Sequence, residues 1–219
     1  MKISHFNLGV FYFMLMIILE MILPEWVGDE NGIIENLQLL WLVAGFIYCF
    51  NAKKYYYKNW QGKANSLCNA GMIYFFLLFM REISWGRTFI HNPDGGMIQY
   101  SQMGIYGKLV HPTVGILIFA MVILLYRARV WRMLCKITFP TKSFILLLTF
   151  IFASWVGEKA NFTGFHGQVA EELAEFGAYM MMFFLLHDTL DDLKIGKIKQ
   201  TEKRHLTSSD FTKTNYLTH

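Results

Sequence analysis

The sequence predicts an all-α protein, a polytopic bundle of six transmembrane helices with both termini on the cytoplasmic side. Three observations carry this. Of the 219 residues, 54% are hydrophobic and 17% aromatic, and only 16% are charged, well below the quarter typical of a soluble domain. Apolar runs long enough to cross a hydrocarbon core of about 30 Å, which takes about 20 helical residues, recur along the whole chain. The basic residues fall on alternate sides of those runs.

The first span, 6–24, has the short basic start and apolar core of a signal peptide. Glu20, Pro24 and Glu25 stand where a small-residue cleavage site would follow, so the reading is an uncleaved span. The second, 33–50, opens on Glu35 and ends before Lys53 and Lys54. The third, 66–85, ends at Trp85. The fourth, 109–126, opens with His111-Pro112, and proline suits a first helical turn. The fifth, 143–157, is the shortest. The sixth, 168–187, carries Gln168, Glu171, Glu172 and Glu175 in its first turns and ends at His187-Asp188, which reads as a helix terminus. Residues 1–190 thus form one membrane domain. Residues 191–219, rich in Lys, Thr and Ser, read as a disordered basic cytoplasmic tail.

With the N-terminus inside, 16 of the 20 lysines and arginines lie on the inner side; only Arg81, Arg87, Lys108 and Lys159 lie outside. That is the positive-inside distribution. Trp26, Trp85 and Trp155 mark the outer boundary, and Tyr55, Tyr56, Tyr57, Trp60, Tyr126 and Trp131 the inner one, as aromatic belts do. Cys49, Cys68 and Cys135 all fall at the inner side without a CxxC spacing, which fits reduced thiols and excludes a cysteine metal knuckle. The partner this implies is the bilayer, with the inner basic loops on anionic headgroups. Nothing in the charge pattern points to nucleic acid. No internal repeat supports an inverted-repeat transporter.

Charge inside a bilayer is costly, so ionisable residues in the spans are candidates for function. They gather toward the outer ends: Glu20, Glu35, Glu82, Glu158, and the Glu171, Glu172 and Glu175 set, with His111 and His166. Glu35, Glu171, Glu172 and Glu175 lie at helix N-terminal ends, where the macrodipole favours negative charge. Glu20, Glu82 and Glu158 lie at C-terminal ends, where it opposes them. Arg81, Arg87 and Lys159 stand next to two of these three. Glu20 has no local cation, so it is either a neutral carboxyl or, the expected case, an ionised carboxylate held by a distant partner such as Arg81, Arg87 or a bound ion. Gln38 shares a helix face with Glu35. Gln168, Glu171 or Glu172, and Glu175 make a polar stripe that should face the bundle interior. The expected shared polar site therefore comprises Glu20, Glu35, Gln38, Glu82, Arg87, His111, Glu158, His166, Glu171, Glu172 and Glu175. The candidate metal ligands among them, for a divalent ion such as zinc, iron or manganese, are His111, His166, Glu82 and Glu172, although no HExxH spacing accompanies them.

The run Arg81-Glu82-Ile83-Ser84-Trp85-Gly86-Arg87 resembles a signature of uncharacterised bacterial multi-span inner-membrane proteins, in which an acidic pair precedes Ile-Ser-Trp-Gly and Gln follows. Glu30-Asn31-Gly32-Ile33-Ile34-Glu35 is similar to an upstream E-x-G-x-x-E pattern of the same proteins. The departures are Arg81 in place of an acid and Arg87 in place of Gln, which favour ion pairing over metal ligation. The resemblance implies a bacterial inner membrane and brings no activity with it.

The function this predicts is binding of a cation, a proton or a polar lipid headgroup at the outer leaflet, for transport or sensing. The alternatives are an intramembrane metal-dependent lipid hydrolase or transferase, with histidine ligands and a glutamate base, and a structural membrane subunit.

Overall fold

A computed structural model describes residues 4–28, 32–58, 62–90, 98–130, 140–159 and 167–215. The described residues form six α-helices: α1 (His5–Ile22), α2 (Ile33–Lys58), α3 (Gly62–Glu82), α4 (Gly104–Ala128), α5 (Thr141–Lys159) and α6 (Gly167–Asn215). Short 3-10 turns lie at Glu25–Gly28, Ser84–Phe89 and Tyr100–Met103. No strand occurs among the described residues. Stretches containing α1, α2, α4 and α5 are each long and apolar enough to cross a membrane. This helical bundle is compatible with an integral membrane protein.

The helices that are plainest as spans are the most peripheral. In α1 only Gly9 and Met16 are buried, and in α4 only Gly107, Val110 and Ala128. Phe11, Met14 and Met21 on α1, and Ile116, Phe119 and Val122 on α4, are exposed at the bundle surface, as a lipid-facing side requires. The most polar span is central. α6 packs against α5, α2 and α1, and buries Val169, Leu173, Ala174, Ala178, Tyr179, Met180 and Met181. Because lipid is as apolar as leucine, association here depends on close packing and interhelical hydrogen bonds rather than on removing apolar surface from water. Both are present. A Cβ on Gly45 would stand 2.5 Å from the Phe75 ring, and one on Gly177 2.5 Å from the Phe150 ring; each glycine is a notch that seats a fully buried phenylalanine of the neighbouring helix. The Tyr12 hydroxyl donates to the Leu173 carbonyl at 2.8 Å, tying α1 to α6.

Two expectations need correction. α4 begins at Gly104, so Pro112 lies inside the helix rather than in its first turn; Gly104, at φ 62°, ends the preceding turn and starts the helix earlier. His187-Asp188 does not end a helix: α6 runs on through residues 191–215. That stretch contains Leu, Lys, Gln, Glu and Arg and no proline, a composition that propagates an existing helix at little cost. The chain beyond Asn215, the sequence around Cys135 and the turn at 91–97 lie outside the described residues. Cys49 and Cys68 are buried free thiols.

Candidate functional site

Four acids and one guanidinium meet where the C-terminal end of α3 faces the first turns of α6 and α2. Arg81 donates from Nη2 to Glu175 Oε1 at 2.5 Å, and its Nε lies 3.5 Å from Glu82 Oε1. The Tyr179 hydroxyl donates to the same Glu82 oxygen at 2.6 Å. On the α2 side, Gln38 Nε2 donates to Glu172 Oε2 at 2.8 Å and to the Glu172 carbonyl at 2.9 Å. Glu35 stands close enough to Glu82 and Glu172 to repel both. The guanidinium covers the group from outside: the Arg81 side chain is 58% exposed, against 7% for Glu82 and 15% for Glu175.

Gln38 is fully buried, and its Oε1 has no hydrogen-bond partner among the described residues. Flipping the amide would not help, since it would aim Oε1 at two acceptor oxygens of Glu172. The arrangement is rich in acceptors and short of donors. A buried acceptor without a donor costs about 1–3 kcal/mol, and like charges in a low-dielectric interior repel strongly.

Backbone strain adjoins this group. Directly after Glu82 and Ile83, Ser84 and Trp85 take positive φ of 46° and 54°, and Gly86 follows at 82°. Two adjacent non-glycine residues in the left-handed region cost of order 1–2 kcal/mol each. The turn is held by the Tyr106 hydroxyl, which donates to the Trp85 carbonyl at 2.8 Å, and by the Gly86 N–H, which donates to the Ile83 carbonyl. It stops α3 abruptly enough that Arg81 and Glu82 lie at its last turn.

Of the expected site residues, Glu35, Gln38, Glu82, Glu172 and Glu175 come together. Of the adjacent pair on α6, Glu172 meets Gln38, while Glu171 lies beside Glu175 and Glu158. The others stand apart. Glu158 is exposed and pairs with its neighbour Lys159 at 2.7 Å. Glu20, half-buried on α1, has no hydrogen bond or ion pair among the described residues. The distant cations expected to hold it are engaged elsewhere: Arg81 with Glu175 and Glu82, and Arg87 over the Tyr100 ring at 4.4 Å. His111 is exposed and, among the described residues, its ring meets Tyr100 edge-on at 5.3 Å, because the early start of α4 carries it away from a helix terminus. His166 lies outside the described residues. No metal-capable group containing His111, Glu82 or Glu172 forms among the described residues.

Two participants escape the sequence reading. Arg81 stands out there only as a departure from a motif, yet it is the cation that closes the group. Tyr179 follows Glu175 by four residues on α6, the same helix face, so extending the polar stripe by one turn would have included it. Comparison of the chain with protein-family models, curated proteins and solved structures finds no match.

Proposed function

We propose that the carboxylate end of the bundle binds a positive charge, a proton or a small oxygen-seeking cation, in the service of transport or sensing. The observation that carries this reading is the buried Gln38 Oε1, unpartnered among the described residues beside Glu172, in a group where Glu82, Glu172 and Glu175 outnumber the one guanidinium that bonds Glu82 and Glu175 among the described residues. A proton on a carboxylate supplies the missing donor, and a cation supplies the missing charge; oxygen-only ligands suit hard cations. The 16-to-4 division of basic residues supports an orientation with both termini in the cytoplasm and this end facing out. In bacteria that membrane is the inner membrane.

The test is charge uptake by the purified full-length protein in detergent. Proton release and uptake, infrared difference spectra of the carboxyl C=O band, and calorimetric titration with sodium, magnesium and calcium salts are compared for wild type, Glu172→Gln and Glu82→Gln. One positive charge taken up per chain by wild type and lost in Glu172→Gln is the expected result. Uptake that is absent from wild type, or identical in all three proteins, overturns the proposal.

A further inference from the structure

We infer that His5, His187 and Asp188 form a binding site for a divalent first-row transition-metal ion, with zinc as the reference ion, at the opposite end of the bundle. The three residues come from the first turn of α1 and the middle of α6, 183 positions apart in sequence for His5 and Asp188. His5 Nδ1 lies 2.7 Å from Asp188 Oδ1, and His187 Nδ1 lies 3.4 Å from the same oxygen. One ligand atom from each of the three lies within 4.8 Å of the others. Ligands around a tetrahedral zinc ion with bonds of about 2.0–2.1 Å stand roughly 3.3 Å apart. The two measured separations bracket that value, and the third pair, His5 to His187, lies within 4.8 Å, so closing it by at most about 1.5 Å completes the metal geometry.

A simple imidazole–carboxylate pair accounts for the 2.7 Å contact and leaves the second histidine unexplained. The surroundings orient both rings. His5 stacks flat on Phe184, with centroids 4.4 Å apart and planes 2° from parallel. His187 stands edge-on to His5 at 5.1 Å and lies against Tyr48 at 5.2 Å. The far nitrogen of His187, Nε2, faces Asp191 Oδ2 at 3.7 Å, one turn along α6. With Nδ1 on the metal, shortening that contact to hydrogen-bond distance would make the carboxylate–histidine–metal relay that fixes tautomer and ring orientation in zinc proteins. Asp188 and Asp191 give two neutral imidazoles a net negative setting for a dication. Two nitrogen ligands select zinc, cobalt or nickel over magnesium or calcium. All three ligand side chains are about one-third exposed, which leaves an entry path and an open coordination position.

The test uses metal-free full-length protein in detergent, with Co²⁺ as a spectroscopic probe and Zn²⁺ as competitor. Wild type should bind one Co²⁺ per chain with ligand-field bands in the visible, displaced by Zn²⁺. His5→Gln and His187→Gln should each weaken binding by about a hundredfold or more, and Asp191→Asn by about tenfold. Glu172→Gln, at the other end, and a His205→Ala/His219→Ala double variant should bind as wild type does, which keeps this result separate from the carboxylate reading and from the tail histidines. Circular dichroism and elution volume establish that each variant is folded; where one ligand variant is not, the other ligand variant decides. No stoichiometric Co²⁺ in wild type, or binding undiminished in the folded ligand variants, overturns the inference.

Discussion

The two polar groups on α6 are built from different materials. At one end, carboxylates crowd under a single guanidinium, with Glu82 and Glu175 almost wholly covered. At the other, imidazoles share one carboxylate about one-third exposed, and the pairing is supported by ring stacking. The first group is held by charge that would be costly to uncover; the second is held by contacts that survive loss of a charge. One helix therefore carries a tightly interdependent site and a loosely interdependent one, and substitutions should separate them.

The largest effect is expected from Arg81→Met. It removes the cation shared by Glu175 and Glu82, and leaving buried carboxylates unpaired should cost about 3 kcal/mol, the lower end for a buried pair, because the guanidinium is itself partly exposed. Thermal unfolding in detergent reads this as a lowered midpoint; a midpoint within error of wild type would remove the distinction between the two ends. Tyr179→Phe deletes one charge-assisted donor to Glu82 and should cost about 2 kcal/mol. The same melting experiment on the Arg81→Met background should show a non-additive loss, since both groups hold one oxygen. His5→Phe keeps the stack on Phe184 and deletes the hydrogen bond to Asp188; in metal-free protein the expected loss is about 1 kcal/mol. A loss as large as that of Arg81→Met would show that the two ends are equally interdependent. The smallest effects belong to Glu158→Ala and Glu20→Gln, within about 0.5 kcal/mol of wild type. Glu158 bonds to the exposed Lys159 next to it, and Glu20 has no polar partner among the described residues.

The fold was legible because bilayer thickness and the cost of uncovered backbone polar groups leave a hydrophobic chain few choices. The polar stripe of α6 was legible for the same reason: Glu172 and Glu175 on an apolar helix must face inward, and they do. Partner choice was less legible. Glu82 and Glu158 look alike in sequence, each an acid beside a cation at a helix C-terminal end. One is buried against Tyr179 while the other stays at the surface with Lys159, and only the packing angles of the helices decide which. Glu20 looked indispensable because no cation is near it in sequence. Its half-buried position on the peripheral α1 places far fewer demands on it than the interior would. His5 gave no signal, since the contact that gives it meaning lies 183 residues away.

The glycine notches bear on how such a chain assembles. Phe75 against Gly45 locks α2 to α3, and Phe150 against Gly177 locks α5 to α6, so each lock joins two helices that are consecutive in the chain. The polar bonds run the other way, from Gln38 to Glu172, from Arg81 to Glu175 and from Tyr179 to Glu82, always from one helical hairpin to the other. The apolar locks can close as each hairpin enters the bilayer. The carboxylates of α6, by contrast, meet their partners only when the second hairpin docks on the first, so the charge that makes the site also records that the bundle is complete.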